Sequence, residues 1–430
     1  MESDVSRSTS RVAPLLVLAL VCSAPDMAYG AIFNVDHAAD TVDTNPGDGI
    51  CDDGGGKCTL RAAIIEANAT ADSDVIDLAP DVYTLSLPGT NEDGALTGDL
   101  DITANLTIVG TWNTIIDGGG MDRVFDIHAS AVFAIIIGVT IRNGASPSNG
   151  GAILNRASLA LDSVTLTGNQ AAGRGGGLYD LHGASVLRSR IVRNEAGIDG
   201  GGLYSALGGI GIQLSDIRLN RAARDGGGVA GANYIAVVRS ALIGNSAGRN
   251  GGGIHTRGKL ALWTSTVSQN GASGTGGGIY KAGAAIMDIE DSTISHNAAV
   301  RGAGGLHHED ERFSEVLLVN TILAKNNGPL GPDCSGTLDL QGHNLLGSTV
   351  GCNVAVSPSD LVAVDPLLGP LLNNGGPTAN RALLPGSPAI NTGRNTCRSP
   401  DQRGVQRPQG VACDMGAYEV EVERRRDLPD

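Results

Sequence analysis

Tyrosine and histidine side chains recur at one position of a repeat that fills the middle of this chain. Counted from each glycine turn, that position holds Leu154, Tyr179, Tyr204, Ala230, His255, Tyr280 and His307. Aromatic faces stack on other rings, and polar ring edges form hydrogen bonds. We therefore expect Tyr179, Tyr204, His255, Tyr280 and His307 to form an outward stripe that contacts glycans. The alternative is that these side chains only stabilise the surface by packing across neighbouring strands.

Basic residues beside this stripe predict a second kind of chemistry. Lys281 follows Tyr280, Arg257 and His255 lie one repeat earlier, and His307 lies one repeat later. A basic side chain with a suitable pKa can abstract a proton from a substrate. Lys281, Arg257, His255 and His307 are therefore candidate catalytic residues. The position that follows the aromatic one in each repeat holds Asn155, Asp180, Ser205, Thr256, Lys281 and His308. The other interpretation is that this column is solvated polar surface.

An acidic loop near the start of the chain is a candidate calcium site. Asp43, Asp48, Asp52 and Asp53 supply carboxylate oxygens, and calcium takes six to eight oxygen ligands. The spacing provides no bidentate glutamate at the EF-hand position. We therefore favour an acidic, solvated loop over a metal site, and we expect no other cofactor.

Glycine turns set the period of the repeat. From Gly150 to Gly278 the motif Gly-Gly-small-aliphatic returns every 25 or 26 residues. An asparagine column keeps step with it, formed by Asn169, Asn194, Asn220, Asn245, Asn270 and Asn297. A fixed period of this size is typical of stacked supersecondary units.

Short apolar runs within each repeat predict strands. Leu159 and Leu161 recur with period-two spacing, as do Val164 and Leu166, and no helical spacing appears between residues 100 and 350. Two or three short strands per repeat form one coil of a parallel β-helix, with strands roughly 4.8 Å apart. Glycine permits the positive φ of a sharp corner, and asparagine tolerates left-handed backbone and can stack its amides. We predict an all-β solenoid of about ten coils over residues 99–350.

The first 30 residues are predicted to be a signal peptide. Arg7 and Arg11 precede an apolar run over residues 15–21, and small residues Ala28 and Gly30 offer a cleavage site. This pattern predicts export to the extracellular space or the cell surface. The mature chain is expected to have no transmembrane span.

Six cysteines remain after the predicted signal peptide, and they lie outside the glycine repeats. An even number of cysteines in an oxidising compartment indicates disulfides. The simplest local pairs are Cys51 with Cys58, Cys334 with Cys352, and Cys397 with Cys413.

The charge of the chain limits its partners. Thirty Lys and Arg residues against 45 Asp and Glu residues give a net charge of −15. This charge argues against a nucleic-acid backbone as partner. It is compatible with calcium and with polysaccharide or cell-surface ligands.

Sequence motifs at both ends resemble known domains. The run Cys58-Thr59-Leu60-Arg61-Ala62, with Gly47-Asp48-Gly49-Ile50-Cys51 before it, resembles the CSLREA domain. Residues 31–98 are accordingly predicted to form a helix-containing N-terminal cap. Asn374-Gly375-Gly376-Pro377 and Cys413-Asp414-Met415-Gly416-Ala417-Tyr418-Glu419 resemble the choice-of-anchor Q domain. That resemblance predicts a Pro/Gly-rich C-terminal cap over residues 351–420, followed by a tail over residues 421–430.

The central repeats resemble those of polymorphic outer membrane proteins and of pectin-lyase-like, right-handed parallel β-helices. Together these resemblances imply a secreted or surface-displayed bacterial protein. Two functions are compatible with them. The first is a non-catalytic binding or adhesion module for glycans or surface partners. The second is a calcium-dependent polysaccharide lyase that uses the candidate catalytic residues around Lys281.

Overall fold

The computed structural model describes residues 29–70, 72–90, 92–309 and 314–421. Within these ranges the chain winds into a parallel β-helix of the right-handed type with about ten coils, which confirms the predicted fold class. Neighbouring coils pair in parallel and in register. Most of the predicted signal peptide, residues 1–28, lies outside the described residues, as does most of the predicted tail.

Each full coil contributes one strand to each of three sheets. Sheet 1 contains Leu100–Ile102, Phe125–Ile127, Ile153–Asn155, Leu178–Asp180, Leu203–Ser205, Val229–Gly231, Ile254–Thr256, Ile279–Lys281, Leu306–His308 and the start of Cys334–Leu340. Sheet 2 contains Tyr29–Val35, Ser73–Leu78, the first halves of Leu106–Asp117 and Phe133–Arg142, Ser158–Asp162, Gly183–Leu187, Gly209–Gln213, Tyr234–Val238, Lys259–Trp263, Ile286–Glu290, Glu315–Val319 and the end of Cys334–Leu340.

Sheet 3 follows sheet 2 in each coil. It contains Val82–Thr84, the second halves of Leu106–Asp117 and Phe133–Arg142, Thr165–Thr167, Arg190–Val192, Asp216–Arg218, Ala241–Ile243, Thr266–Ser268, Thr293–Ser295, Ile322–Ala324, Leu345–Leu346 and Leu361–Val362. A short sheet then leads back to the glycine turn, with strands Ala145–Ser146, Gln170–Ala171, Glu195–Ala196, Arg221–Ala222, Ser246–Ala247, Gly271–Ala272 and Ala298–Ala299. Cys352–Val354 pairs with Cys334–Leu340 near the last coil.

Aliphatic side chains fill the interior of the coils. Leu178, Leu203 and Val229 of sheet 1 are fully buried, and they contribute to one apolar cluster that runs through the coils. Successive side chains of a strand point to opposite faces, so every second residue of each strand enters this core.

The three glycines of each turn have three separate roles. Gly175 has a φ of 70°, which favours glycine. A Cβ on Gly176 would lie 2.4 Å from the backbone oxygen of Gly201, and one on Gly177 would lie 2.7 Å from that of Gly202. The turns of adjacent coils therefore stack too closely to accept a side chain.

Asparagine side chains form a buried ladder after sheet 3. Nδ2 of Asn220 donates to Oδ1 of Asn245 at 3.0 Å and to the backbone oxygen of Ile191 at 2.8 Å. The same amide-to-amide bond joins Asn169, Asn194, Asn220, Asn245, Asn270, Asn297 and Asn326. The ladder ends on Oδ1 of Asp333. The predicted amide stack is confirmed.

The expectation that these asparagines adopt left-handed backbone is wrong. The left-handed residue is the one before each ladder asparagine, as at Leu219, whose φ is 55°. The physical reason lies in the hydrogen bonds of the ladder. The backbone N–H of Asn220 also donates to Oδ1 of Asn245, so the chain must bend one residue earlier.

A second ladder, of hydroxyl groups, lies at the corner between sheets 2 and 3. The backbone N–H of Ser215 donates to Oγ of Ser240 at 3.1 Å, and that of Ser240 donates to Oγ of Ser265 at 3.1 Å. The hydroxyl groups in turn donate to backbone oxygens of their own or the preceding coil. This ladder was not predicted from the sequence.

The N-terminal cap contains a helix, α1, which spans Leu60–Ala69. The Thr59 hydroxyl accepts from the backbone N–H of Ala62 and caps its first turn. Arg61 is buried and pairs with Asp40 at 2.5 Å, and its guanidinium also donates to the backbone oxygens of Ala95 and Gly98. Arg61 thereby fixes the loop before the first strand of sheet 1.

The Pro/Gly-rich C-terminal segment turns back and covers the outer face of sheet 3. It begins with an antiparallel pair of strands, Leu368–Leu372 and Asn380–Leu383. Gln402 accepts from the Thr266 hydroxyl at 2.6 Å, and Arg381 donates to the Ser268 hydroxyl at 3.1 Å. Thr293 and Asn320, one coil apart, also contact this segment. Arg239, one coil before Thr266, donates to the backbone oxygen of Asp401, so the segment contacts at least four successive coils.

All three predicted disulfides are confirmed. Cys51 pairs with Cys58, Cys334 with Cys352, and Cys397 with Cys413. Disulfides persist in oxidising compartments, so these pairs indicate an extracellular protein. Among the described residues no helix has the length and apolar character needed to cross a membrane.

Candidate functional site

Aromatic and imidazole rings stack on the outer face of sheet 1. The rings of Tyr179 and Tyr204 have centroids 5.3 Å apart and are parallel within 1°. His255 stacks on Tyr280 at 5.1 Å, and Tyr280 stacks on His307 at 4.9 Å. The strands of sheet 1 pair in register, which places all five predicted stripe residues in one column. The structure therefore brings the aromatic candidates together. We call them the aromatic stripe.

Ala230 interrupts the aromatic stripe. It pairs with Tyr204 on one side and with His255 on the other, and its small side chain leaves their two rings without a partner ring between them. A cavity of 190 Å³ occupies this gap. Its lining consists of Arg174, Asp199, Tyr204, Arg224, Asp225, Ala230, Gly231, Ala232, His255 and Arg257.

Charged side chains surround the cavity. Nε of Arg174 lies 3.0 Å from Oδ2 of Asp199, and the Arg174 guanidinium lies 5.3 Å from the centroid of the Tyr204 ring. Nε of Arg249 donates to Asp225 at 2.9 Å. Arg257 is exposed, and its guanidinium has no hydrogen bond or ion pair within the described part of the chain. Arg257 is therefore available to an anionic group in the cavity.

Burial keeps three rings of the aromatic stripe, those of Tyr204, His255 and Tyr280, uncharged. Desolvation lowers the pKa of His255, and Asp225, whose carboxylate lies 4.0 Å from Nε2, only partly opposes this effect. Desolvation also raises the pKa of Tyr204, and desolvation together with the hydrogen bond to Glu309 raises that of Tyr280. The faces beside Ala230 are thus those of a neutral tyrosine and a neutral histidine near pH 7.

Lys281 lies inside the coil rather than on its surface. It is fully buried, and Nζ donates to the backbone oxygens of Ala282 and Gly283 at 2.5 and 2.6 Å. The interpretation of its column as solvated surface is wrong, because Asn155, Asp180, Ser205, Thr256 and His308 are buried with it. Strand alternation explains the difference, since the residue after an outward ring must point inward.

The candidate catalytic residues are consequently split between two sides of sheet 1. His255 and His307 belong to the aromatic stripe, and Arg257 lines the cavity. Lys281 faces the interior. The structure does not bring Lys281 within reach of a substrate on the face that carries the other three.

The carboxylates of the acidic N-terminal loop accept hydrogen bonds from the loop itself. Oδ1 and Oδ2 of Asp43 accept from the backbone N–H groups of Asn45 and Asp52, and Asp52 Oδ1 accepts from Gly54 and Gly56. Asp48 and Asp53 accept similar bonds within the loop. In the ranges that the structure describes, these four aspartates do not gather into a group of three metal ligands.

Carboxylates do gather at the N-terminal end of sheet 1. Asp99, Asp101 and Asp126 lie close enough to share a cation, and Asp93, Asp101 and His128 form a second such group. Arg123 pairs with Asp99 at 3.2 Å and with Asp126 at 2.6 Å, and Arg156 also pairs with Asp126. Burial raises the pKa of Asp99 to about 7. Basic side chains already compensate this group, so it is a weak cation site.

The sequence analysis missed the residues that frame the cavity. Arg174, Asp199 and Asp225 each precede the positive-φ glycine of a turn, and Arg224 precedes Asp225. Two signals were present in the sequence. One was charge at the position before the turn, and the other was a single alanine in an otherwise ring-bearing column.

A search of protein-family models, curated proteins and solved structures found no match to this chain.

Proposed function

We propose that this chain is an exported, non-catalytic binding module that contacts glycans through the aromatic stripe. The interruption at Ala230 carries the proposal, because it leaves a cavity bounded by ring faces and lined by charged groups. Sugar-binding surfaces need an apolar face together with hydrogen-bonding groups. The outer face of sheet 1 offers both in one place.

The three disulfides support the exported location, since such bonds are typical of secreted proteins. We further propose that the two ends are a CSLREA-like cap and a choice-of-anchor Q-like segment of a bacterial surface protein. The support is the buried Arg61 in the first and the buried Asp414 and Glu419 in the second. All three residues belong to the motifs that carry the resemblances.

The lyase alternative receives less support from the geometry. A general base must come within hydrogen-bond reach of the proton that it removes. Lys281 is enclosed by the coil, and the acidic loop that was the calcium candidate uses its carboxylates for its own turns. Incubation with anionic and neutral polysaccharides, followed at the absorbance of an unsaturated product, tests this alternative. Sustained product formation by the parent protein would establish the lyase and overturn the proposal.

Retention on insoluble polysaccharides tests the binding function. We expect a column of insoluble polysaccharide to retain the parent protein. The triple variant Tyr179→Ser, Tyr204→Ser, Tyr280→Ser should pass through the same column without being retained. Each broken ring pair destabilises the fold by about 0.5–1.5 kcal/mol, so the variant should melt lower yet stay folded at 25 °C. Circular dichroism checks the folded fraction.

Tyr234→Ser is the matched control for this experiment. Tyr234 is a half-buried tyrosine on the outer face of sheet 2, away from the aromatic stripe. We expect its loss to leave retention unchanged. Equal retention of the parent and the folded triple variant would mean that the aromatic stripe has a structural role only.

A further inference from the structure

We propose that the gap at Ala230 is a slot for one sugar ring that carries a negative group. The inference rests on the proposed glycan-binding function and adds a defined position and a ligand class. In this site the ligand ring takes the place of the ring that Ala230 lacks, between Tyr204 and His255. The negative group contacts Arg257.

The repeat geometry sets the size of the slot. Strands of sheet 1 follow one another at roughly 4.8 Å, so Tyr204 and His255 stand about two such steps apart. Elsewhere in the aromatic stripe each step holds one ring, with centroids 4.9–5.3 Å apart. The spacing therefore corresponds to one further ring. The cavity volume of 190 Å³ agrees, because it lies below the roughly 300–1,000 Å³ of sites for drug-sized ligands. Ala230 and His255 are only 1% and 7% exposed, and the Arg174 guanidinium lies over the Tyr204 ring, so a ligand ring enters by displacing that guanidinium.

The lining determines which kind of ring fits. The two faces that flank the gap belong to uncharged rings, whereas its margin carries Arg174, Asp199 and Asp225. A ligand must therefore be apolar on both faces and polar where its edge meets these charged groups, while the edge above Ala230 and Ala232 meets apolar side chains. A pyranose has C–H groups on its faces and hydroxyl groups around its edge. A flat aromatic acid has only one polar side and would leave part of the charged margin without partners.

Arg257 determines the charge of the ligand. Arg174 and Arg224 both pair with Asp199, and Arg249 pairs with Asp225, so these three arginines are already engaged by carboxylates. Arg257 lines the same cavity without an ion pair among the described residues. A carboxylate or sulfate on the sugar would form a charge-assisted hydrogen bond with its guanidinium.

Filling the gap tests the slot. Ala230→Tyr places a ring where the two neighbouring coils carry Tyr204 and His255 in the same register, so the coil should accept it. We expect this variant to melt no lower than the parent and to lose glucuronic acid binding in saturation-transfer NMR. Ala230→Ser keeps the gap open and should bind like the parent. A folded Ala230→Tyr variant that binds as well as the parent would overturn the slot.

The charge preference is tested with a neutral probe. Arg257→Gln should weaken glucuronic acid binding about tenfold, as expected for a lost hydrogen bond to a charged group, and leave glucose binding unchanged. Arg190→Gln, which removes an exposed arginine on sheet 3, should change neither. Equal losses for both sugars, or none for either, would overturn the role of Arg257. Binding of 4-hydroxybenzoate as tight as that of glucuronic acid would overturn the sugar assignment.

Failure of the slot and failure of the proposed function give different results. If the parent is retained on polysaccharides and Ala230→Tyr is retained equally, the slot is wrong and the aromatic stripe binds by other residues. If the parent is not retained on any polysaccharide but Ala230→Tyr abolishes glucuronic acid binding, the slot stands and the wider function is wrong.

Discussion

Asp180 shows how one buried side chain makes the stability of this fold depend on pH. Its Oδ1 accepts from Asn155 at 2.7 Å and from the backbone N–H of Gly183 at 3.0 Å. Its Oδ2 and the Ser205 hydroxyl are buried without a hydrogen-bond partner in the described ranges. Burial raises the pKa of Asp180 from its ordinary value of 3.8 to about 6. Because the folded state holds this proton more tightly, its stability falls as pH rises from about 4 through 6.

We predict that Asp180→Asn stabilises the protein at pH 8 and has little effect at pH 4. The neutral amide keeps the acceptor for Asn155 and removes the buried charge. The gain at pH 8 should be on the order of 3 kcal/mol, the linkage free energy of the raised pKa. Denaturant unfolding at the two pH values measures it. Asp339→Asn, at an exposed site on the last coil, is the control and should show no such difference. A gain of the same size at pH 4 would contradict this account.

The repeat in the sequence was sufficient to place these residues in register. It did not show which of them face outward and which face the interior of the coil. Tyr179 and Asp180 are adjacent in one strand, so only one of them can face outward. Both columns were predicted to lie on the surface because Asp180 and Lys281 are polar. Burial of polar side chains in a narrow coil depends on backbone oxygens such as that of Gly283, and their positions are known only from the folded turns.

At the scale of the element, the asparagine ladder should contribute more stability than any isolated corner residue. Replacing Asn245 by Ala removes an acceptor for Asn220 and a donor to Asn270. We predict a loss of roughly 1–3 kcal/mol for each buried group left unpaired. Asn143→Ala is the control, since Asn143 is exposed and its side chain bonds only to Asp117 among the described residues. Thermal unfolding compares them, and equal shifts in Tm would argue against a continuous ladder.

The asparagine ladder was easier to recognise from the sequence than the serine ladder. Within the glycine repeats most asparagines belong to the ladder, so their period stands out beside the glycine turns. The serine ladder repeats at almost the same interval, since its hydrogen bonds join residues 25 to 27 positions apart. Serines also occur at many other positions of the repeat, and this background hid the period.

At the scale of the whole molecule, Arg407 joins the C-terminal segment to the coils. Its guanidinium lies 3.3 Å from Asp291 of the coil and 2.8 Å from Glu419 of the segment, and all three side chains are buried. We predict that Arg407→Met destabilises the protein by about 3–5 kcal/mol, because two buried carboxylates lose their partner. Denaturant unfolding measures the change. Arg193→Met, at an exposed corner, should stay within about 0.5 kcal/mol. Equal stability of the two variants would contradict this role.

The position of this segment was beyond the reach of sequence reasoning. The cysteine pairs and the Pro/Gly composition predicted a cap, and a segment of that composition is present. No periodic pattern relates Gln402 to Thr266 or Arg407 to Asp291, which are more than a hundred residues apart. Such contacts depend on the shapes of the folded coils and of the folded C-terminal segment, not on the conformational preferences of neighbouring residues.

The C-terminal segment also fixes the number of coils in the part of the β-helix that it covers. In an uncovered β-helix each coil touches only its neighbours, so a coil can be gained or lost during evolution without disturbing the rest. The coils that carry Thr266, Asp291 and Asn320 share one partner. An extra coil among them would displace every later contact by roughly 4.8 Å. An extra coil near Asn194 would displace none of them, so this chain can lengthen at its uncovered end while its covered end keeps a fixed length.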